Sequence, residues 1–423
     1  MEIPTTTDSA AETPLIFIGV DWADELHAFH LIDRNAEHSS GMLRQDPAVV
    51  EQCIQDWRRQ FPGMVLAIAI EQSKGALITA LLKYDDVAIY PVNPAALASY
   101  RKSFRHGGGK NDPTDALLLA QYLQHYHSQL RTLRVDQPLT RELSSLAVDR
   151  RQLVDQRVNL SLQLRALLKQ YFPAILLLKP AKIYAAYILR LLKKYPTLAA
   201  LQKAPRRSLA ACLKATDSKQ IEQRITLLKD AIPLTDDEVL LRTCVRKMTT
   251  LCRMIEVLND AISVCDTAMS ELVQQHDDYI VVADLPGASH TTQCRIIAAL
   301  GDDRDRFPTA SDLQSAAGIA PLTTQSGKQR TVTYRWACNK FLRQTFHEFA
   351  GRSITESKWA AAFYKQQIER GKKPQMARRS LAFKWIRIIH HCWKNKVAYD
   401  EQLYIQRLKQ TGSPLYQLIQ QST

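Results

Sequence analysis

The sequence lacks a long apolar run. None of its 423 residues belong to a stretch of ~18 consecutive apolar residues, the length that a membrane-spanning helix needs. Lys179, Lys182 and Arg190 interrupt the most apolar segment, residues 174–195. We therefore expect a soluble protein. Residues 1–14 have neither the basic start nor the apolar centre of a secretion signal, and we interpret them as a flexible tail.

Cysteine motifs are also missing. The eight cysteines form no C-x-x-C pair and no Cys/His cluster at the spacing of a zinc site. This pattern excludes a disulfide-stabilised secreted scaffold and a zinc finger. We expect reduced thiols in a cytoplasmic protein.

Acidic residues are scarce towards the C-terminal end of the chain. The whole sequence has 56 Lys and Arg against 42 Asp and Glu, a net charge of +14. Residues 327–399 contain 17 basic and 3 acidic residues, a surplus of 14, so the remainder balances at 39 against 39. A solvated face is the ordinary explanation of such charge, but aromatic residues are interleaved with it, and we favour neutralisation of nucleic-acid phosphates. The predicted DNA-binding residues are Lys328, Arg330, Arg335, Lys340, Arg343, Lys372, Lys373, Arg378 and Arg379.

The hydrophobic pattern divides the rest of the chain. Short apolar runs alternate with helical patterns over residues 15–130, which predicts an α/β domain built on a mixed sheet. Residues 131–277 read as a helical linker that contains a helical insertion at 173–233, and residues 278–423 as a mostly helical C-terminal domain. The predicted strands are residues 15–21, 27–33, 65–71 and 87–92.

Two segments of the linker carry heptad repeats. Ten apolar residues fill ten consecutive a and d positions from Leu241 to Leu272, and a less regular series runs from Leu143 to Tyr171. Two such helices form a coiled coil, either with each other or with another copy of the chain. The repeat does not distinguish between these two arrangements.

Four carboxylates stand where strands end or helices begin. Asp21 and Glu71 terminate two apolar runs, and Asp112 and Asp115 lie three residues apart at a predicted helix start. Carboxylates that converge need a cation between them, and hard oxygen ligands suit Mg²⁺ or Mn²⁺. Each residue also has a structural explanation, because Asp is common at turns and as a helix N-cap.

Two sets of motifs together resemble a known family. In the N-terminal half these are GVDWA at 19–23, Glu71, and K-x-D-x-x-D-A at 110–116. The C-terminal half contributes LPG at 285–287 and G-I-A-P-x-x-x-Q-S-G at 318–327. In this order they resemble the RuvC-like DEDD transposases of bacterial insertion sequences, the insertion sequence 110 family.

The resemblance implies an RNase H-like (RuvC-like) N-terminal domain and a transposase domain with a serine nucleophile, which would be Ser326. It further implies a Mg²⁺ site formed by Asp21, Glu71, Asp112 and Asp115. The implied partners are donor and target DNA, a guide RNA known as a bridge RNA, and further copies of the chain, as dimers that assemble into a tetramer. Without the family, the Ser326-Gly327 pair would indicate only a turn.

Two alternatives remain open on the sequence. A metal-dependent DNA resolvase or nuclease of RNase H-like fold needs the carboxylates but not Ser326. A non-catalytic nucleic-acid-binding protein needs neither, and its carboxylates would serve only as caps and turn residues.

Overall fold

The computed structural model describes residues 15–72, 75–104, 112–178, 182–213, 218–327 and 329–421, with the backbone alone at 104, 112, 218, 219 and 421. The predicted tail and Lys328 lie outside the described residues. The chain forms two compact units, Met1–Val135 and Asp136–Thr423.

The first unit is the predicted mixed α/β domain. One five-stranded sheet has the strand order β3-β2-β1-β4-β5, in which β1, β2 and β3 are antiparallel neighbours and β4 and β5 continue parallel to β1. Its elements are β1 (Leu15–Asp21), β2 (Leu26–Ile32), β3 (His38–Arg44), α1 (Pro47–Gln60), β4 (Val65–Ile70), α2 (Ala76–Leu81), β5 (Val87–Pro91), α3 (Pro94–Phe104) and α4 (Asp112–Tyr126). The edge strand β3 is not among the strands predicted from the sequence.

Helices cover both faces of this sheet. Branched side chains of β1 and β4, among them Ile16, Ile18 and Ile68, are buried on one face with α1 and α2. The other face has small residues, because α4 packs directly against the backbone of β1. A Cβ atom placed on Gly19 would lie 2.0 Å from the carbonyl oxygen of Ala116 in α4. Glycine at this position therefore sets the close approach of α4 to the sheet.

The second unit is almost entirely helical. Its elements are α5 (Pro138–Tyr171), α6 (Ala174–Leu177), α7 (Ala186–Lys194), α8 (Leu198–Lys203), α9 (Arg206–Leu213), α10 (Ser218–Lys229), α11 (Glu238–Val273), α12 (Tyr279–Val282), α13 (His290–Leu300), α14 (Ala310–Ala316), β6 (Leu322–Ser326), β7 (Gln329–Thr333), α15 (Lys340–Glu356), α16 (Lys358–Glu369), α17 (Pro374–Asn395), α18 (Glu401–Gln410) and α19 (Pro414–Gln421). None of the helices in the described parts of the chain is long and apolar enough to cross a membrane.

The two heptad helices pack on each other within the chain as an antiparallel pair. Arg150 of α5 forms an ion pair with Asp266 of α11, with 2.6 Å between Nε and Oδ1. Further along α5, Arg157 donates to Asn259 Oδ1 at 3.0 Å. The partner numbers fall along α11 as they rise along α5, which fixes the antiparallel sense. The heptads allowed pairing within one chain or between copies of the chain. Within the single chain, the two helices pair with each other.

Separate cores lie at the two ends of this helix pair. Leu143 and Ala147, near the start of α5, are buried with α13 to α17, where Trp359 and Trp385 are inaccessible to solvent. The other end of α5 is buried with the helical insertion, which therefore forms a module of α6 to α10 with its own core. All eight cysteines are free thiols.

Candidate functional site

Asp21 and Glu71 lie side by side at one edge of the sheet. Val20 of β1 is paired with Ile70 of the parallel strand β4, and each carboxylate is the next residue along its strand. Asp21 is two residues beyond Gly19 and so projects from the same face, the one that α4 covers.

The N-terminal turn of α4 reaches this edge. The ring of His127, just beyond α4, lies 5.3 Å from that of Phe17, whereas Gly19 lies against Ala116 near the start of the helix. Helix α4 therefore runs antiparallel to β1, and its first turn, with Asp112 and Asp115, lies towards the end of β1 that carries Asp21. The side chain of Asp112 is outside the described residues.

Asp115 is buried, with 4% of its surface exposed. Its Oδ1 accepts a hydrogen bond from Arg101 Nη2 of α3 at 2.5 Å, and the guanidinium offsets the buried negative charge. Arg101 was not predicted as a site residue. The sequence showed it only as one of several basic residues before Asp112, because its contact with Asp115 joins residues of two different helices, fourteen positions apart.

The donors at this edge fit a divalent cation in their chemistry. Asp21, Glu71 and Asp115 offer only carboxylate oxygens, which suit Mg²⁺ and Mn²⁺. Within the described residues, however, no three His, Cys, Asp or Glu side chains are placed so that they could hold a metal ion. One Asp115 oxygen is instead engaged by Arg101, so a metal at this edge would compete with the guanidinium for that carboxylate.

Ser326 is the last residue of β6, on a two-stranded hairpin whose side chains are all exposed. It pairs with Gln329 across the hairpin, and Gly327 at the tip has a φ of +56°, a conformation that glycine adopts without strain. Alternation along the strands places Arg330, which pairs with Gln325, on the opposite face from Ser326. The structure does not bring these two predicted site residues together on one face.

Two arginines hold the base of the hairpin. Arg379 of α17 donates from Nη2 to Gly318 O at 2.7 Å and from Nε to Ile319 O at 2.9 Å, just before β6. Arg343 of α15 donates to Trp336 O at 3.1 Å, just after β7. Both guanidinium groups lie over the ring of Tyr334, Arg379 at 3.8 Å and Arg343 at 5.3 Å from its centroid. These two predicted DNA-binding residues thus have structural contacts that fix the hairpin on the domain.

A cationic cleft lies beside the hairpin base. It has a volume of about 1280 Å³ and is bounded by the end of β7 and by α15, α16 and α17. Its basic residues are Lys340, Arg343, Arg370, Lys372, Arg379, Lys384 and Arg387, and Glu348 is its acidic residue. With seven basic residues against one acidic residue, the cleft has the charge that favours an anionic ligand such as a nucleic-acid backbone.

Four of the nine predicted cations line this cleft: Lys340, Arg343, Lys372 and Arg379. Arg330 is on the hairpin, Lys373 is exposed at the start of α17, and Arg335 and Arg378 are half-buried. Three further cleft cations, Arg370, Lys384 and Arg387, were not predicted. A sequence signal did exist for Lys384 and Arg387, because with Met376 and Ser380 they follow helical spacing along one face of α17.

Burial and, after it, neighbouring positive charge lower the pKa of two groups in the cleft. Burial lowers the pKa of Lys384, and the neighbouring Arg387 lowers it further. Burial likewise lowers the pKa of His347, to which Arg378 and Arg379 also contribute. A bound polyanion would relieve this repulsion, so the cleft is electrostatically prepared for an anionic ligand.

Comparison with known proteins identifies the family. A family model of IS110-type DEDD transposases, described as "Transposase", matches residues 18–173, and a second, "Transposase IS116/IS110/IS902 family", matches residues 280–365. The matches include the carboxylates of the first unit, the hairpin of the second and the part of the cleft that β7 and α15 form; α17 lies beyond them.

Similar proteins span nearly the whole chain. The "Mini-circle putative transposase for IS117" of Streptomyces coelicolor is 28% identical over 92% of this chain and 96% of its own length. The "Insertion element IS110 uncharacterized 43.6 kDa protein" of the same organism is 24% identical over 92% and 96%. The "Insertion element IS900 uncharacterized 42 kDa protein" of Mycobacterium paratuberculosis is 26% identical over 74% and 79%. The protein therefore belongs to the IS110 family of DEDD transposases.

Proposed function

We propose that this transposase cleaves, exchanges and rejoins DNA strands through a covalent Ser326–DNA intermediate, with an RNA as the guide to its DNA sites. The observation that carries the proposal is the setting of Ser326. Its hydroxyl is exposed at the end of β6, on a hairpin anchored beside a cationic cleft. The cleft cations would bind the phosphates that flank the attacked bond.

The covalent step conserves the number of phosphoester bonds. Ser326 Oγ forms a bond to phosphorus while the bond from phosphorus to a deoxyribose oxygen breaks, and that oxygen leaves as a hydroxyl. A hydroxyl from another DNA strand then attacks the serine phosphodiester and releases Ser326, which rejoins the DNA without an external energy source. The serine proton must pass to a base, which Gln325, Gly327 and Gln329 do not supply; the neighbouring Lys328 lies outside the described residues.

Asp21, Glu71, Asp112 and Asp115 are the residues that would hold Mg²⁺, or Mn²⁺ in its place. A bound divalent ion would supply Lewis-acid stabilisation of the charge that develops on the phosphate oxygens. Support comes from the sheet order β3-β2-β1-β4-β5, which is in keeping with an RNase H-like fold, and from the antiparallel course of α4 over β1. Arg101 would hold Asp115 in place until the ion arrives.

The resemblance also suggests assembly into dimers and then a tetramer, with the carboxylate site of one protomer completed by the serine domain of another.

The RNA guide has a direct test. RNA that copurifies with the protein should map to DNA that flanks its gene and should contain segments complementary to donor and target. Changes in those segments should redirect recombination to DNA of matching sequence. Unaltered target choice after such changes would contradict RNA guidance.

The competing function is that of a metal-dependent DNA resolvase. The carboxylates of the first unit favour it, because a resolvase would need these residues but no nucleophilic serine. The two differ in the product attached to the protein. A resolvase would release cleaved DNA with no covalent adduct, and its activity would survive Ser326→Ala.

A further inference from the structure

The helical module between the two long helices has a charge excess of its own. Residues 174–229 contain twelve Lys and Arg against two acids, Asp217 and Glu222. Outside residues 327–399, basic and acidic residues are equal in number because the excess of basic residues in this module is cancelled by an excess of acidic residues elsewhere. A module that only covered the end of the helix pair would need no such excess.

Five of these cations form one surface, which we name the α7–α9 patch: Arg190, Lys193, Lys194, Arg206 and Arg207. All five side chains are exposed. The three in α7 follow helical spacing, while the residues between them are buried in the core of the module. Lys194 Nζ donates to Ser208 Oγ at 2.8 Å, which joins α7 to α9 directly beside Arg206 and Arg207.

Much of the charge of this patch is uncompensated. Lys193 forms an ion pair with Glu256 at 2.8 Å, and Arg206 with Glu222 at 3.0 Å. Lys194 bonds to the neutral hydroxyl of Ser208. Neither Arg190 nor Arg207 forms a hydrogen bond or an ion pair with any residue that the structure describes. Three full charges thus face solvent within two adjoining helices. Beside them is a cleft of about 650 Å³, lined by three of the cations (Arg190, Lys193 and Lys194) and by two acids of α11, Glu256 and Asp260.

The patch suits phosphates better than unstacked bases. In the described part of the module no aromatic ring is exposed: Tyr195 is buried, and Tyr184 and Tyr187 are half-buried. Tyr184 is covered by the guanidinium of Arg157 at 4.0 Å from the ring centroid. A surface that binds single strands normally offers aromatic rings on which bases stack, so the partner is a stacked duplex contacted through its backbone.

The patch and the cationic cleft contact different parts of the helix pair. Glu348 of the cleft lies 3.7 Å from Arg151 of α5, and Lys193 of the patch pairs with Glu256 of α11. Arg150, next to Arg151, pairs with Asp266, ten residues from Glu256, so the two contacts are ~15 Å apart along the pair at the usual rise of an α-helix. A DNA duplex covers that distance in about five base pairs. We propose that the α7–α9 patch binds the phosphate backbone of duplex DNA as a second contact region, beyond the DNA held at the cleft. The choice of DNA over other polyanions rests on the proposed function.

Salt dependence of DNA binding tests this proposal. The variant Arg190→Gln/Arg207→Gln should lower the slope of log K against log salt by about 2 for a mixed-sequence duplex of ~40 base pairs, since each lost phosphate contact removes close to one unit. The matched control is Arg407→Gln/Lys409→Gln in α18, which removes two equally exposed charges and should leave the slope unchanged. Thermal melting should show that both variants are folded.

A slope equal to that of the control would overturn the proposal, and so would an effect confined to a duplex RNA probe of the same length. This outcome is separable from the failure of the proposed function. Covalent attachment of Ser326 to DNA is measured at low salt, where binding is saturated, and its absence would leave the slope difference intact.

Discussion

At the scale of single residues, the unusual pair of the first unit is Arg101 and Asp115. A carboxylate that is 4% exposed is costly unless a cation accompanies it. Arg101 provides that charge from α3, at 2.5 Å. Asp115 is one of the residues proposed to bind a divalent ion. Without that ion, the guanidinium of Arg101 supplies the positive charge that compensates the carboxylate.

Loss of this guanidinium should therefore destabilise the protein. We expect Arg101→Gln to lower the free energy of unfolding by about 1–3 kcal/mol, because a buried acceptor loses its charged donor. Urea denaturation measures the loss, and Mg²⁺ should restore part of it. The control is Arg34→Gln, an exposed arginine of the same unit. Combination with Asp115→Asn should cost less than the sum of the single changes, and simple additivity would show that the pair contributes nothing.

His347 lies in the cationic cleft with its pKa lowered from 6.5, first by burial and then by Arg378 and Arg379. It is therefore neutral at pH 7 in the free protein. A DNA phosphate in the cleft would favour the protonated ring and raise its pKa, so that binding takes up a proton.

DNA affinity should accordingly increase as the pH falls from about 7.5 to about 5.5 at constant salt, by up to about tenfold for each unit by which DNA raises the pKa. Fluorescence anisotropy with a labelled duplex measures this. His347→Gln should flatten the dependence, whereas His391→Gln, which removes an exposed histidine of α17, should not. Identical pH profiles for the two variants would place His347 away from the bound phosphate.

At the scale of elements, the hairpin β6–β7 depends on its anchors. None of the side chains of its two strands is buried, and an isolated two-stranded hairpin is marginally stable in water. Arg379 ties the chain before β6, Arg343 ties the chain after β7, and both lie over Tyr334. The position of Ser326 is thus set by residues of α15 and α17.

Removal of one anchor should loosen the hairpin while the domain stays folded. We expect Arg379→Gln to be cut by trypsin after Arg330 several-fold faster than the wild type, because the base of the hairpin opens more often. Mass spectrometry of the early fragments measures the rate. Lys373→Gln, which removes an exposed charge at the start of the same helix, is the control. Equal rates in the two variants would contradict an anchoring role for Arg379.

An element could be predicted from the sequence when its burial leaves a clear hydrophobic pattern. The runs that form β1 and β4 are apolar on both faces and were recognised as strands. The edge strand β3 was missed because, of its seven residues, Leu43 alone is buried, so the alternation typical of a strand is absent. Heptads identified α5 and α11, but the internal pairing is set by contacts such as Arg150 with Asp266, which are more than a hundred residues apart.

At the scale of the whole molecule, composition alone could not separate the two basic regions. The surplus in residues 327–399 was apparent, while that in residues 174–229 was cancelled by acids elsewhere in the chain. Folding assigns these regions to opposite ends of one antiparallel helix pair. The motif residues of the candidate site were likewise named from the sequence. Arg101 was identified only through its contact with Asp115 of another helix, whereas Lys384 and Arg387 follow helical spacing in α17 that the sequence already contained.

The central claim is that Ser326 forms a covalent bond to DNA. The most direct measurement is denaturing electrophoresis of the protein after reaction with DNA of its own element. The wild type should give a protein–DNA adduct that nuclease digestion reduces to a phosphorylated Ser326 peptide. Ser326→Ala should abolish the adduct, and Thr324→Ala, two residues earlier on the same face of β6, should retain it. An adduct that persists in Ser326→Ala, or DNA cleavage without any adduct in the wild type, would contradict the account.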